Sequence, residues 1–552
     1  MLAIGPTLNW RAMIEPGQPK PRRGVTARGV ITLAGVLPIV LPIVPLLAQP
    51  PAFPLAEFDD PAVIACTALS ELALPELGSI AADWMPRGPA ALPDREATAT
   101  GTASPPIELA EHCRVRGRIE PAIDFEVWLP SPAAWNGRFL AVGGSDYAGT
   151  ISYGRMAPRL NDGYATASTD TGHEADGFGW LADDALLRDF AYRAIYEMTS
   201  KARVIVARFY ERPADYRYFN GCSLGGRQGL MEAQRFPADY DGIVAGAPVN
   251  AFIDTRTTQL WATRASHPVA GGQPLLRPDV LERVAAAATA QCDTLDGVAD
   301  GVIEDPRRCN FDPARLQCGA PGPGDPGVCL AGSEVAALAD VYRGPTHPDT
   351  GPIAPGFAVG SEAGWTFVAA PEPSPVTLEF FRRAVFDDPL WNWRSFDFAL
   401  DHAYAVEELR WMLDATSADL SEYRDRGGKL LLYHGWNDAN NSPEATIAYY
   451  EEIETALAVE PNPLGIRTRD FARLFLVPGM GHCGGGPGTT EFDAQRAIED
   501  WVERGIAPDR IEAERVEDGR PVRTRPLCPY PETARYRGTG NSDRSGSFLC
   551  AQ

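Results

Sequence analysis

The sequence predicts an α/β protein built on a mainly parallel sheet. Strand-like apolar runs alternate with amphipathic helices from residue 115 to residue 249, and the alternation resumes after residue 416. Strand–helix–strand order is typical of a parallel sheet with helical crossovers. The 53 glycines and 50 prolines among 552 residues favour a loop-rich α/β chain over a helical bundle, because both residues interrupt regular elements.

The first 48 residues differ in composition from the rest of the chain. A basic stretch, PKPRRGVTARG, precedes the apolar run VITLAGVLPIVLPIVPLLA. This order predicts a signal peptide cleaved near Ala48, and therefore a secreted or periplasmic protein with no stable membrane insertion after cleavage. A transmembrane anchor is the alternative, but three prolines interrupt a run that is barely long enough to span a bilayer.

Net charge and cysteine spacing argue against two kinds of function. The formal net charge of -23 disfavours a nucleic-acid partner, because phosphate binding needs a basic surface. The ten cysteines contain no C-x-x-C pair, which is the close spacing typical of zinc ligands. In an exported chain they instead predict five disulfides.

Residues 49–249 form the first part of the predicted core. RVRGRIEPAIDFEVWLP alternates like two strands, and WNGRFLAVGGSDYAG ends a buried strand in a glycine turn. GYATASTDTGH is a further strand and loop. LLRDFAYRAIYEMTSKARVIVARFY has apolar residues at helical spacing and predicts one long helix that leads into the short strand RYFN.

Between residues 250 and 416 the alternation of strands and helices is lost. This segment carries four of the ten cysteines and five tryptophans. It lies between a predicted core helix and the next core strand, so we expect an inserted lid domain over the carboxyl ends of the strands, where α/β sheets bind ligands. Residues 417–552 then form the second part of the core.

A candidate nucleophile lies in Gly221-Cys222-Ser223-Leu224-Gly225, which matches the pattern G-x-S-x-G. A predicted strand precedes this stretch and a predicted helix follows it. In such a turn the serine hydroxyl projects above the sheet, and the next backbone N–H faces the negative charge that develops on the substrate. The pattern alone is weak because glycine and serine are common in turns, but its position between strand and helix strengthens it.

A serine nucleophile needs an acid and a base, and both candidates follow late core strands. Asp438 follows the strand in LLLYHGWNDANN, and His482 follows the strand in LFLVPGMGHCGG. The chain order Ser223, Asp438, His482 predicts an α/β-hydrolase fold rather than the chymotrypsin or subtilisin arrangement.

Three other residues compete for these roles. Asp470 precedes its strand and should lie at the opposite edge of the sheet. His434, inside a strand end, is interpreted as a packed histidine, and His173 in TDTGH as a residue that forms hydrogen bonds within its loop.

The oxyanion of an acyl-transfer reaction needs backbone donors. The Leu224 N–H is one candidate, and the Gly143-Gly144 turn after an earlier strand offers the Gly144 N–H as a second. The alternative interpretation of Gly143-Gly144 is an ordinary turn.

Two further patterns concern cysteines and carboxylates. Cys222 and Cys483 directly adjoin the candidate nucleophile and base, so a bond between them would hold both loops in register. CDTLDGVADGVIEDPRRC places three aspartates within eight residues between Cys292 and Cys309. Hard oxygen ligands suit calcium, although a solvated acidic turn is the alternative because the spacing is not that of an EF-hand.

These residues resemble the CS-D-HC motif of the tannase and feruloyl esterase family. FNGCSLGGRQGLMEAQRFPADYDGIVAGAP, DDPLWNWRSFDF and RPLCPYPETARY are similar to the same family, and the resemblance runs from about residue 60 to the end. It implies a triad of Ser223, Asp438 and His482. It also implies a structural calcium ion bound by the side chains of Asp293, Asp296 and Asp300 and the carbonyls of Val298 and Val302. The implied disulfides are Cys66–Cys113, Cys222–Cys483, Cys292–Cys309, Cys318–Cys329 and Cys528–Cys550.

The resemblance predicts a secreted serine esterase that hydrolyses small esters of aromatic acids of the feruloyl, galloyl or terephthaloyl half-ester type. A catalytically silent binding protein on the same fold and an esterase for non-aromatic acyl groups are the alternatives. Trp365 and Arg383 in the lid are possible substrate contacts, although such tryptophans are more often core residues. The chain departs from the family around Gly144-Ser145-Asp146-Tyr147 and at Asn441, near the predicted site, so its substrate preference is expected to differ.

Overall fold

The strand-like patterns of the sequence correspond to one large mixed sheet and four small ones. The computed structural model describes residues 60–92, 106–174, 177–319, 329–459, 462 and 465–552. The predicted signal peptide lies outside these residues. The strands are β1 Leu77–Met85, β2 Gly88–Ala90, β3 Ile107–Leu109, β4 His112–Ile119, β5 Ile123–Pro130, β6 Arg138–Val142, β7 Ala165–Thr169, β8 Tyr216–Cys222, β9 Gly242–Gly246, β10 Thr346–His347, β11 Gly351–Pro352, β12 Lys429–Gly435, β13 Ala472–Val477, β14 Glu491–Phe492, β15 Ile511–Glu517, β16 Arg520–Leu527, β17 Thr533–Tyr536 and β18 Phe548–Ala551.

The central sheet has nine strands in the order β1-β4-β5-β7-β6-β8-β9-β12-β13. From β7 to β13 neighbouring strands are parallel, whereas β1, β4, β5 and β7 pair antiparallel. The parallel strands therefore direct their carboxyl ends, and the loops that follow them, to one edge of the sheet.

Helices connect the parallel strands and cover the sheet. They are α1 Pro61–Ala68, α2 Tyr153–Asn161, α3 Asp184–Arg188, α4 Ala194–Phe209, α5 Leu224–Arg235, α6 Phe252–Ser266, α7 Pro278–Cys292, α8 Gly332–Arg343, α9 Pro375–Glu379, α10 Leu400–Leu413, α11 Ser421–Asp425, α12 Pro443–Val459 and α13 Ala494–Arg504. The long helix predicted from the sequence corresponds to α3 and α4 joined by a π-helical turn at Asp189–Arg193.

Successive residues of the central strands pack on opposite faces. Phe219 of β8 belongs to an apolar cluster with α4, α5 and α12, whereas the adjacent Tyr218 packs with α2 and α13. Because both faces are covered, the central strands are apolar at nearly every position, as in other buried parallel sheets. With the nucleophile turn between β8 and α5, this three-layer arrangement is an α/β-hydrolase fold.

The segment 250–416 interrupts the central sheet between β9 and β12 and adds no strand to it. Helices α6 to α10 and several short 3₁₀ and π turns build it around two apolar clusters. One of these clusters includes Leu224, Tyr147 and Phe252 and so joins the segment to the nucleophile helix. The division into domains at residues 249 and 417 stays a prediction.

Five disulfides cross-link the chain, and they are the pairs that the family resemblance implies: Cys66–Cys113, Cys222–Cys483, Cys292–Cys309, Cys318–Cys329 and Cys528–Cys550. Within the described part of the chain no cysteine is left unpaired. No helix there combines the length and apolar character needed to cross a bilayer.

Candidate active site

The predicted nucleophile lies at a sharp turn between β8 and α5. Ser223 has φ 63° and ψ -120°, a conformation that is unusual for a residue with a side chain and is typical of strained functional turns. Backbone bonds hold it in place, because its N–H donates to the Gly246 carbonyl at 2.9 Å and its carbonyl accepts the Arg227 N–H at 3.0 Å.

The glycines of the motif let the strand and the helix approach each other closely. A Cβ atom on Gly221 would lie 2.5 Å from the Gly225 carbonyl carbon, and one on Gly143 would lie 2.5 Å from the Gly225 Cα. Side chains at these positions would separate β8, α5 and the Gly143-Gly144 turn. The G-x-S-x-G spacing thus has a steric cause in this fold.

The Cys222–Cys483 disulfide joins the nucleophile turn to the loop after β13. Its Cα atoms lie 6.0 Å apart although 261 positions separate the two cysteines in the chain. The residues that adjoin it are Ser223 and His482. Cys483 itself has a left-handed backbone conformation with φ 62°, and Cys222 directly precedes Ser223, which has φ 63°. The disulfide therefore brings the candidate nucleophile and base to the same edge of the sheet.

Asp438 and His482 form a hydrogen-bonded acid–base pair. The His482 Nδ1–H donates to Asp438 Oδ2 at 2.7 Å. With the Nδ1 proton engaged, Nε2 of the neutral imidazole is an acceptor and can take the serine proton. The carboxylate is fully buried, whereas the His482 side chain is 22% exposed, so the base faces the substrate side of the pair.

Asp438 receives three further hydrogen bonds. His434 donates to Oδ2 through Nε2 at 3.0 Å, and the N–H groups of Asn440 and Asn441 donate to Oδ1 at 2.7 and 3.0 Å. Burial raises the pKa of Asp438, but the hydrogen bonds from His434 and His482 outweigh it and hold this pKa well below its usual range. The acid is therefore an ionised carboxylate.

His434 is packed, as the sequence predicts, but packing is not its whole role. It is fully buried, and its Nδ1 accepts a hydrogen bond from the Thr446 hydroxyl at 2.8 Å while Nε2 donates to Asp438. It is thus a second histidine partner of the candidate acid. The spacing of four residues between His434 and Asp438 is the sequence signal that could have suggested this contact.

The two predicted oxyanion donors differ in the structure. The Leu224 N–H is at the first residue of α5, where helical N–H groups have no intrahelical acceptor. The Gly144 N–H instead donates to Gln228 Oε1 at 3.0 Å. In this structure the proton is therefore engaged by a side chain of α5, and a role of Gly144 as an oxyanion donor stays a prediction.

The other candidates lie away from the acid–base pair. Asp470 accepts the Arg467 N–H in the short turn before β13, at the opposite edge of the sheet from Asp438. His173 contacts the Glu174 carbonyl and stacks on Trp180, with ring centroids 3.9 Å apart.

The two residues of the segment 250–416 that are predicted as substrate contacts both have partners within the protein. Trp365 is fully buried and donates to the Ser361 hydroxyl. Arg383 donates to Glu379 Oε2 at 2.6 Å. The indole N–H of Trp365 is therefore engaged within the protein, whereas Arg383 uses only its Nε in this pair and is partly exposed, so a substrate contact of Arg383 stays a prediction.

The acidic loop 293–302 does not form a ready calcium site. Asp293 Oδ1 accepts the N–H groups of Asp300 and Gly301, and Asp300 Oδ2 pairs with Arg525 Nη2 at 2.6 Å. Across the described residues, no three acidic, histidine or cysteine side chains lie close enough to hold one metal ion. The side chains as placed therefore do not fit calcium, which prefers six to eight oxygen ligands. Calcium binding stays a prediction.

Comparison with known proteins identifies the family of the chain. The family model described as "Tannase and feruloyl esterase" matches residues 108–551. The chain belongs to this family. An uncharacterised esterase of Xanthomonas campestris pv. campestris is 37% identical, with 88% of this chain and 91% of the relative covered. Mono(2-hydroxyethyl) terephthalate hydrolase of Piscinibacter sakaiensis is 36% identical, with 82% of this chain and 86% of the relative covered.

A solved structure shares the fold over nearly the whole described chain. Feruloyl esterase B of Aspergillus oryzae matches with a TM-score of 0.79 and 27% identity, covering 89% of this chain and all of that one. The protein is therefore a carboxylic ester hydrolase with an α/β-hydrolase fold. Small-molecule esters are its class of substrate.

Proposed function

We propose that the protein is an exported serine esterase that hydrolyses esters of aromatic acids through an acyl-enzyme. The observation that carries this proposal is the Asp438–His482 pair, which the Cys222–Cys483 disulfide links covalently to the turn that carries Ser223. The aromatic acyl group is supported by the names of the relatives, which include feruloyl esterases and a terephthalate half-ester hydrolase.

The proposed mechanism has two halves. The Ser223 Oγ attacks the ester carbonyl carbon while His482 Nε2 takes the hydroxyl proton, and the Leu224 N–H donates to the oxyanion. Asp438 keeps the Nδ1–H tautomer and stabilises the imidazolium. The proton then passes to the leaving alcohol, and the same histidine activates a water that releases the acid from Ser223.

Export is supported by the order of basic and apolar segments before residue 49 and by the five disulfides, which persist in oxidising compartments. The family resemblance also supports a structural calcium ion at the loop 293–302, for which Asp300 would have to leave Arg525.

A substrate panel tests the proposed function. We expect kcat/KM for methyl ferulate, methyl gallate or mono(2-hydroxyethyl) terephthalate to exceed that for an aliphatic methyl ester of similar size. The Ser223→Ala variant should lose at least about 10³-fold in kcat, because the nucleophile is absent. Higher activity on the aliphatic ester would refute the aromatic preference alone, and full turnover by Ser223→Ala would refute the mechanism.

A further inference from the structure

A cavity of about 310 Å³ lies where the segment 250–416 meets the core. Helices α6 and α10 and the loop 353–357 line one side of it, and the acid loop, residues 438–442, lines the other side together with α12. Its volume is at the lower end of the range of small-molecule sites. None of Ser223, Asp438 and His482 lines it, so the cavity is separate from the candidate active site.

Three polar side chains that line this cavity are nearly buried, with exposed fractions of 3% for Asn250, 5% for Thr258 and 7% for Ser442. The Ser442 hydroxyl has no hydrogen-bond partner among the described residues. The Asn250 amide and the Thr258 hydroxyl also form no hydrogen bond to a described residue. Because buried polar groups in proteins are almost always hydrogen-bonded, three unpartnered groups on one cavity indicate that a polar partner enters it.

Residues of the same types that adjoin the cavity without lining it have their partners within the protein. The Thr257 hydroxyl donates to the Ile253 carbonyl at 2.9 Å, although Thr257 directly precedes Thr258 on α6. The Asn441 amide likewise donates to the Ala247 carbonyl at 3.0 Å. The unpartnered groups are therefore a property of the cavity and not of this part of the fold in general.

The charged side chains that line the cavity do not favour an anion. Asp254 and the solvent-exposed Glu452 are acidic, and Arg410 is basic. Asp254 Oδ1 accepts hydrogen bonds from Arg410 at 3.1 Å and from His402 at 2.8 Å, so the pair is satisfied within the protein. The groups that remain available to a ligand are thus neutral.

We propose that this cavity binds a small neutral polyhydroxylated molecule of monosaccharide size, apart from the ester substrate. The hydroxyls of Thr258 and Ser442 and the amide of Asn250 can each donate and accept, as the hydroxyls of such a ligand can. A carboxylate ligand would only accept and an ammonium ligand would only donate. Phe357 and Tyr449 supply an apolar wall for the C–H groups of the ligand.

A ligand in this cavity would connect α6 with the acid loop. Asn440 also lines the cavity, and its backbone N–H donates to Asp438 Oδ1 at 2.7 Å. Hydrogen bonds to both Thr258 and Ser442 would therefore join the segment 250–416 to the loop that carries the candidate acid. The inference goes beyond the proposed function, and it can be measured without an ester.

Titration calorimetry with D-xylose, D-glucose and myo-inositol tests this site. We expect at least one of them to bind with a Kd in the millimolar range or below. Thr258→Val removes the hydroxyl and keeps the shape of the side chain, so it should weaken this binding at least about threefold. Binding of none of the three compounds would mean that the cavity holds ordered water only and would overturn the inference.

Thr257→Val is the matched control, because it removes the neighbouring hydroxyl that is engaged by Ile253. This variant should bind the sugar as the wild type does. Equal affinity of Thr258→Val and the wild type would place the sugar elsewhere on the protein. Benzoate serves as the anionic probe, and tighter binding of benzoate that depends on Thr258 would overturn the neutral ligand class.

Ester hydrolysis in the presence of the same sugar gives a second readout. A sugar in this cavity should leave the KM for the ester unchanged, because the cavity does not include the catalytic residues. Competitive inhibition would place the sugar in the substrate cleft and would also overturn the inference. Hydrolysis that depends on Ser223 would leave the proposed function intact in either case.

Discussion

At the scale of single residues, the most constrained group is the buried carboxylate of Asp438. Two histidines and two backbone N–H groups donate to it. A buried carboxylate with all its lone pairs engaged can stay ionised and hold one tautomer of His482. Four donors therefore hold one carboxylate, which orients His482 in the proposed mechanism.

His434 should accordingly behave as a positioning residue. We expect His434→Leu to lower kcat at least about tenfold with little change in KM, because a hydrogen bond to a charged group is lost without loss of substrate contacts. Because removal of a donor raises the pKa of Asp438, the loss of activity should be greatest at the acid end of the pH–rate profile.

The control is His402→Leu. His402 donates to Asp254 at 2.8 Å in the segment 250–416, so this substitution removes a similar histidine–aspartate pair elsewhere in the protein. This variant should keep the wild-type pH profile. A His434→Leu enzyme with unchanged kcat and profile would show that His434 is only a packing residue.

Residues that depend on local chemistry were predictable from the sequence. Ser223 could be found because the glycines at 221 and 225 are required by the turn itself. The hydrogen bond that the Gly144 N–H donates to Gln228 could not be predicted, because Gln228 lies on a helix 84 residues later in the chain. The partner of His434 likewise depends on how the loop after β12 folds back on the strand.

At the scale of elements, the site is a junction of loops rather than a single motif. The turn between β8 and α5 and the loop after β13 are linked through the sheet and through the Cys222–Cys483 bond. Ser223 and Cys483 both have positive φ angles, which are unfavourable for residues with side chains and would change if the loops were free to move. The bridge therefore constrains the geometry of catalysis as well as the unfolded chain.

Two double cysteine variants separate the effect of a disulfide on catalysis from its effect on stability. By the chain-entropy model, removing Cys222–Cys483 costs about 5 kcal/mol of unfolding free energy and removing Cys66–Cys113 about 4 kcal/mol. We expect only Cys222→Ala/Cys483→Ala to lower kcat, by about a hundredfold, when both proteins are assayed well below their melting temperatures. Equal kcat in the two double variants would contradict a role of the disulfide in positioning the triad.

Elements with strong periodicity were predictable, and those held by tertiary contacts were not. The strands before Ser223, Asp438 and His482 follow from apolar runs in the sequence. The π turn at Asp189–Arg193 does not, because its residues continue the apolar spacing of the helices on either side. The short turns of the segment 250–416 are held by aromatic packing and disulfides, which leave no regular pattern in the sequence.

At the scale of the whole molecule, a sheet covered on both faces carries the loops of the site. The apolar clusters on its two sides fix the strands, and the segment 250–416 packs against the nucleophile helix through Leu224. Catalytic geometry is therefore coupled to global packing, and cross-links remote from the chemistry are expected to affect stability more than rate.

Calcium binding would affect the stability of the whole molecule, because the loop 293–302 contacts the C-terminal strands through the pair of Asp300 and Arg525. If calcium binds there, EDTA should lower the melting temperature by several degrees and leave kcat within about twofold, since binding to the folded state alone stabilises it. Excess Ca²⁺ should restore the melting temperature and Mg²⁺ should not. A melting temperature that does not respond to either ion would contradict the calcium site.

The most direct test of the account is covalent labelling with an aryl phosphonate ester that mimics the tetrahedral intermediate. The proposed mechanism predicts one adduct per chain, mapped by mass spectrometry to Ser223, with loss of activity in proportion to labelling. The Ser223→Ala variant should remain unlabelled. An adduct at another residue that accompanies inactivation, or full turnover by enzyme labelled at Ser223, would contradict it.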